Sequence, residues 1–281
     1  MTDQAFHVTF LDFGHQRYLK LALVVCVLAL AAFFFEPSEL RAFGGSRVGL
    51  ILGTVGAGLI LWLMWFGIRK RSYRSRMGTV QGWLSAHVYL GMSLVVVATL
   101  HTGFQAGWNV HTLAYVLMMM VVVSGLYGVY AYVRYPTRIT DAMGDETLET
   151  ILLKVASLDM EARKLALSLS DEINAAVLLS SQKTRVGGGA IAQLRGVDPD
   201  CPTSAAVRLV RAKVGTFRGV ETKRGQELYA VLVRKEGLLD RARQSVMYKA
   251  RLDIWLYAHV PLSFALLAAL AAHILSVYLF V

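Results

Sequence analysis

The chain has 281 residues, of which 56% are hydrophobic, and a formal net charge of +10. A soluble domain of this length carries fewer apolar residues, yet here the stretches 77–133 and 254–281 contain no Asp, Glu, Lys or Arg at all. Such stretches exclude a water-facing surface and belong in lipid or a buried bundle. The surplus of Lys and Arg then reads as the basic loops of a membrane protein, and no nucleic-acid partner is implied.

A membrane-crossing helix needs about 20 apolar residues, and five segments qualify in chain order. The first, 18–35, has Arg17 and Lys20 at its start and ends in Phe33-Phe34-Phe35-Glu36-Pro37. It has no small-residue cleavage pattern and is expected to be retained as a span. The second, 48–68, ends at Arg69-Lys70-Arg71. The third is 83–104. The fourth, 111–133, ends at Arg134-Tyr135-Pro136, and the fifth is 254–281.

Arg69, Lys70, Arg71, Arg74 and Arg76 crowd the connection between spans two and three. The connection before span two balances Arg41 and Arg47 against Glu36 and Glu39, and 105–110 is uncharged. Because cytoplasmic loops are basic, the N-terminus is expected inside and the C-terminus outside. The division is a cytoplasmic N-terminus 1–17, spans one to four over 18–133, a cytoplasmic helical subdomain 134–252, and span five over 253–281.

The 134–252 segment is too long for a plain connection. It holds 20 Lys and Arg against 14 Asp and Glu, which fits a solvated face near anionic lipid or a docking face for a partner. Asp145-Glu146-Thr147 resembles a helix start, and apolar residues from Leu148 to Val177 recur at helical spacing. Gly187-Gly188-Gly189 and Asp198-Pro199-Asp200-Cys201-Pro202 break the chain into loop. A further helix from about Gly225 is expected to run into span five. Cys26, in an apolar run, and Cys201, in a polar one, read as free thiols.

Four of the seven histidines form a pattern. His87 and His101 in span three are fourteen residues apart, as are His259 and His273 in span five. Fourteen residues of helix advance about 21 Å and turn about 1,400°, some 40° short of four turns. Each pair thus lies on nearly one face of its helix, with one member near each membrane surface. The frames match: Trp83-Leu84-Ser85-Ala86-His87-Val88-Tyr89-Leu90 and Trp255-Leu256-Tyr257-Ala258-His259-Val260-Pro261-Leu262 share W-L-x-A-H-V-x-L. Each Trp sits at the level of an aromatic belt.

Both helices run the same way, so His87 faces His259 at one depth and His101 faces His273 at another. Two imidazoles so placed suit a bis-histidine haem iron, and two separate sites stacked along the membrane normal follow. Gly91, one turn after His87, would admit a flat macrocycle, with Ser263 in the matching place; small residues also serve plain helix packing. Hydrogen bonding between helices, or a proton or ion path, is the competing use of intramembrane histidines. His111 begins span four and fits an alternative ligand, a quinone or proton site, or an interfacial residue. His7 and His15 read as surface residues. Arg74, Arg76, Lys249 and Arg251 stand where inner haem propionates would emerge, and equally fit the basic flank of a span.

These paired histidines on two parallel helices resemble the di-haem transmembrane cores of b-type cytochromes. Their placement on spans three and five is similar to the ferric reductase and NADPH oxidase family. The equal spacing also resembles cytochrome b of the quinol–cytochrome c oxidoreductases. The resemblance covers the five spans. It implies an all-α integral membrane fold, a di-haem helix bundle of five transmembrane helices with a helical cytoplasmic insertion between helices 4 and 5. It also implies two non-covalent b haems on His87, His101, His259 and His273, with Gly91, Trp83, Trp255, Arg76 and Arg251 around them.

The sequence departs from both families. It shows no sixth span, no flavin- or nicotinamide-binding domain and no Pro-Glu-Trp-Tyr stretch, and Gly187-Gly188-Gly189 is not a dinucleotide fingerprint. The expected function is therefore electron transfer across a bilayer, that of a bacterial inner membrane, as one subunit of a respiratory redox complex. An iron–sulfur or flavin protein would dock inside, and a c-type cytochrome or quinone would serve outside. A quinone-linked oxidoreductase with its own site, and a non-redox membrane anchor or proton pathway, are the alternatives.

Overall fold

The computed structural model describes residues 10–37, 39, 45–71 and 78–279. Arg76, named above as a cofactor contact, lies outside the described residues, as do Arg74 and His7. Nine helices appear among the described residues: α1 Phe13–Phe35, α2 Arg47–Arg71, α3 Val80–His101, α4 Val110–Met143, α5 Leu148–Ala166, α6 Asp171–Lys183, α7 Ala190–Arg195, α8 Pro202–Lys213 and α9 Val220–Leu279. None of the described residues forms a strand. Five helices, beginning at Phe13, Arg47, Val80, Val110 and Val220, are long and apolar enough to cross a membrane.

Local chemistry sets several ends. Pro37 forces Glu36 out of the helical region, and Glu36 is extended (φ −73°, ψ 142°) where α1 stops. The Glu36 carboxylate then meets the start of α2. It accepts from Ser46 Oγ at 2.9 Å and from the Val48 amide at 3.4 Å, where a negative charge suits the exposed amides of a helix N-terminus. Thr79 caps α3 by accepting from the Gly82 amide at 3.1 Å. Gly14, His15 and Gln16 have left-handed backbone angles, so right-handed helix in α1 starts at Arg17. Helix α4 runs on through Pro136 to Met143. The apolar run ends near residue 133 but the helix does not.

The chain forms two compact units, residues 1–133 with 254–281, and residues 134–253. In the first, α3 packs on both α1 and α2. Val97 and Leu100 of α3 meet Ala29, Phe33 and Leu52, while Leu94 joins Ile60, Met118, Leu266 and Leu270 from three other helices. The outer faces stay apolar: Val27, Leu28, Phe35, Leu275 and Leu279 are all exposed. An apolar surface of this extent calls for lipid or a partner rather than water.

The second unit has its own core, in which Ile151, Ile173, Val210, Leu228 and Leu232 are fully buried. The apolar rhythm from Leu148 to Val177 is carried by two helices. The chain turns at 167–170, and Ser170 precedes α6 with Asp171 and Glu172 in its first turn, a favourable place for negative charge. Helix α8, a basic amphipathic stretch with Ala206, Val207 and Val210 buried, lies in a region whose charge hid its helical pattern. Lys235 is only 1% exposed. Its ammonium donates to Asp159 Oδ1 (2.6 Å), Ser180 O (3.0 Å) and Ser180 Oγ (2.9 Å), which together meet its three donors. Cys201 and Cys26 are both free thiols. Burial pushes the Cys201 thiol up, but hydrogen bonds from the Arg243 guanidinium (3.1 Å) and nearby amides outweigh this and hold it below its ordinary range.

Candidate functional site

The histidines of α3 are anchored by α2. His87 Nδ1 lies 3.1 Å from the Leu63 carbonyl, and His101 Nδ1 lies 2.7 Å from the Gly49 carbonyl. A carbonyl can only accept, so both rings carry their proton on Nδ1. The two acceptors are themselves fourteen residues apart, in step with the two histidines on the neighbouring antiparallel helix. Each acceptor stands four residues before a glycine, Gly67 and Gly53. At Gly67 an added Cβ would meet nothing within 4 Å, so the missing side chain there makes no room for His87. At Gly53 the fit is close: a Cβ would stand 2.6 Å from His101 Cε1.

The histidines of α9 are anchored by α4. His259 Nδ1 lies 2.7 Å from Ser124 Oγ, and the Ser124 hydroxyl also reaches the Val121 carbonyl at 2.8 Å. The one hydroxyl proton goes to that carbonyl, so His259 Nδ1 is the donor in the histidine–serine bond. His273 Nε2 lies 3.4 Å from His111 Nδ1. Thus α4 supplies Ser124 and His111, thirteen residues apart, as α2 supplies Leu63 and Gly49.

These bonds have a chemical consequence. In His87, His101 and His259 the Nδ1 proton is engaged, which leaves Nε2 as a lone-pair donor. That is the tautomer and the anchoring a ligating imidazole uses. His101 and His273 have ring centroids 6.2 Å apart, close to the roughly 6 Å of two imidazoles binding one ion from opposite sides at about 2 Å each. His111 joins this pair, with its ring 5.2 Å from His101 and 4.8 Å from His273. The ligand atoms of these three lie within 4.8 Å of one another.

The matching tryptophans are used differently. Trp255 donates Nε1–H to the Ser124 carbonyl at 2.7 Å and lies 5.5 Å from the His259 ring. A Cβ at Gly128 would fall 2.0 Å from its Cζ2. Trp83 instead stacks on Trp62 at 5.0 Å. It borders a cavity of about 250 Å³ together with Arg17, Tyr18, Thr79 and Ala86. At Gly91 a Cβ would be 3.9 Å from Leu63 Cδ1, an ordinary contact. Arg251 belongs to the 134–253 unit, where its guanidinium donates to the Leu194 carbonyl at 3.2 and 3.3 Å. Ser263 donates to the His259 carbonyl at 2.8 Å, within its own helix.

Sequence reasoning missed Leu63, Gly49 and Ser124 as anchors; His111, expected among other uses as an alternative ligand, stands beside His101 and His273. A partial signal existed in span two, where Gly53 leaves room for a histidine ring. Comparison with known proteins adds nothing to the geometry, since no family model, curated protein or solved structure matches the chain.

Proposed function

We propose that the chain is the membrane cytochrome of a redox complex, holding one b-type haem between His87 and His259 and a second between His101 and His273. The observation that carries this reading is the anchoring of Nδ1 in three of the four rings, which leaves Nε2 free at sites where an ionisable residue is otherwise costly. The surroundings fit the group. The spans carrying the histidines are uncharged, and Gly53 keeps the backbone of α2 clear of the His101 ring. A bis-histidine haem iron changes oxidation state without making or breaking a bond, which is the property a conduit needs.

The chain's own residues hold the rings at fixed depths and exclude water with apolar helices. They also keep the two sites about 21 Å apart along each helix, a large part of an apolar core about 30 Å thick. Five helices long and apolar enough to cross a membrane support a bilayer location, and the basic run from Arg69 favours an N-terminus on the cytoplasmic side. The electron donor and acceptor are other proteins or a quinone, with an iron–sulfur or flavin partner on the inner side.

The test is a reduced-minus-oxidised visible spectrum of the purified protein with a pyridine haemochrome count. Two non-covalent haems per chain are expected, with one lost in His87→Ala and one in His273→Ala. A folded, colourless protein from a haem-replete host would overturn the reading.

A further inference from the structure

The two histidine pairs are not equivalent, because a third ring stands at one of them. We infer that His101, His111 and His273 form a binding site for a divalent first-row transition ion, of which Zn²⁺ and Co²⁺ are the probes, and that this ion and a haem on His101 and His273 exclude each other. The ion site stands apart from the haem reading, since three convergent imidazoles bind such an ion whether or not a porphyrin is ever present; the mutual exclusion rests on that reading.

The geometry is close to that of a metal site. Two nitrogens on a tetrahedral ion, each bound at 2.0–2.1 Å, are about 3.3 Å apart. His111 Nδ1 and His273 Nε2 are already 3.4 Å apart. The three ligand atoms lie within 4.8 Å of one another, so closure needs a movement of about 1.5 Å to reach the tetrahedral spacing. That is within a side-chain adjustment. His101 keeps its Nδ1–H on the Gly49 carbonyl and turns Nε2 to the ion, the orienting contact that ligating histidines use.

All three rings are half-buried, which leaves them accessible to an ion. The donor set decides the class of ion. It has three neutral imidazoles, and no Asp or Glu lies in 77–133 or 254–281. Imidazole suits zinc, cobalt, nickel and copper, whereas calcium and magnesium need oxygen ligands. Three protein ligands leave a fourth position for water. The His87–His259 end has no third histidine among the described residues that would give it the same capacity.

The experiment uses the full-length chain, produced under haem limitation, reconstituted in lipid nanodiscs and titrated with Co²⁺. One Co²⁺ per chain is expected, with the intense visible bands of four-coordinate cobalt, displaced by Zn²⁺. His111→Gln and His273→Gln should each weaken binding by more than the roughly 10–100-fold that follows loss of a ligand's hydrogen-bond partner. His15→Gln, in a histidine outside the cluster, should change nothing. Helical circular dichroism confirms that each variant is folded.

Metal analysis of protein from zinc-supplemented, haem-replete cells provides a second measurement without a haem-free intermediate. There, one zinc should appear for each haem missing from the His101–His273 site. Cobalt bound equally by His111→Gln, no cobalt bound by folded protein, or cobalt retained beside two full haems would each overturn the inference. A protein that binds cobalt at these residues and never binds haem would leave the ion site standing and remove the haem reading, and the exclusion with it.

Discussion

At Ser124 a single hydroxyl makes two contacts, with the Val121 carbonyl on its own helix and His259 Nδ1 on another. Removing it by Ser124→Ala leaves the imidazole N–H without an acceptor, a loss of about 1–3 kcal/mol for a buried donor. It also frees the ring to rotate. Haem affinity at the His87–His259 site should fall by roughly 10–100-fold, as it does when a ligating histidine loses its partner. The His101–His273 site should keep its haem. Haem stoichiometry in detergent, measured on wild type and variant side by side, checks this. Equal retention at both sites would mean that Ser124 has no part in placing the ligand.

Between helices, the determining feature is register. Helix α2 runs antiparallel to α3, and Gly49 and Leu63 match the interval of His101 and His87. Gly53 is the tightest point of this contact, since an added Cβ would reach within 2.6 Å of the His101 ring, whereas at Gly58 of the same helix it would meet nothing within 4 Å. Gly53→Ala should therefore push His101 off the Gly49 carbonyl, with overpacking strain of about 1–3 kcal/mol, and empty the His101 site. Gly58→Ala should leave both sites loaded and gain up to about 1 kcal/mol of helix propensity. The comparison is read from haem content and thermal unfolding of the two variants. Identical behaviour would show that the α2–α3 register is not what holds His101.

For the molecule as a whole, five long apolar helices with exposed Val27, Leu28, Phe35, Leu275 and Leu279 call for lipid or a partner around them, and the proposed function takes the lipid. The protein should stay in the membrane pellet through an alkaline carbonate wash, because that treatment strips proteins held by charge but not those held by apolar burial. Release into the supernatant would show that these helices pack against a partner instead of lipid.

The apolar runs and the helical spacing of the histidines were legible in the sequence. A period of 3.6 residues is a property of one helix alone and needs no neighbour to express it. The loops around Gly187-Gly188-Gly189 and Pro199 were legible for the same local reason. The break between α5 and α6 was not, since the apolar rhythm continues across it. Nor were the acceptors Leu63, Gly49 and Ser124, or the arrival of His111 beside His273. Trp83 and Trp255 make the point most directly, for in frames that differ at two positions one stacks on Trp62 and the other lies against His259. Apolar helices gain nothing from hiding from one another in lipid. Their pairing rests instead on small residues and a few polar contacts, and which contacts meet is decided by how the helices cross.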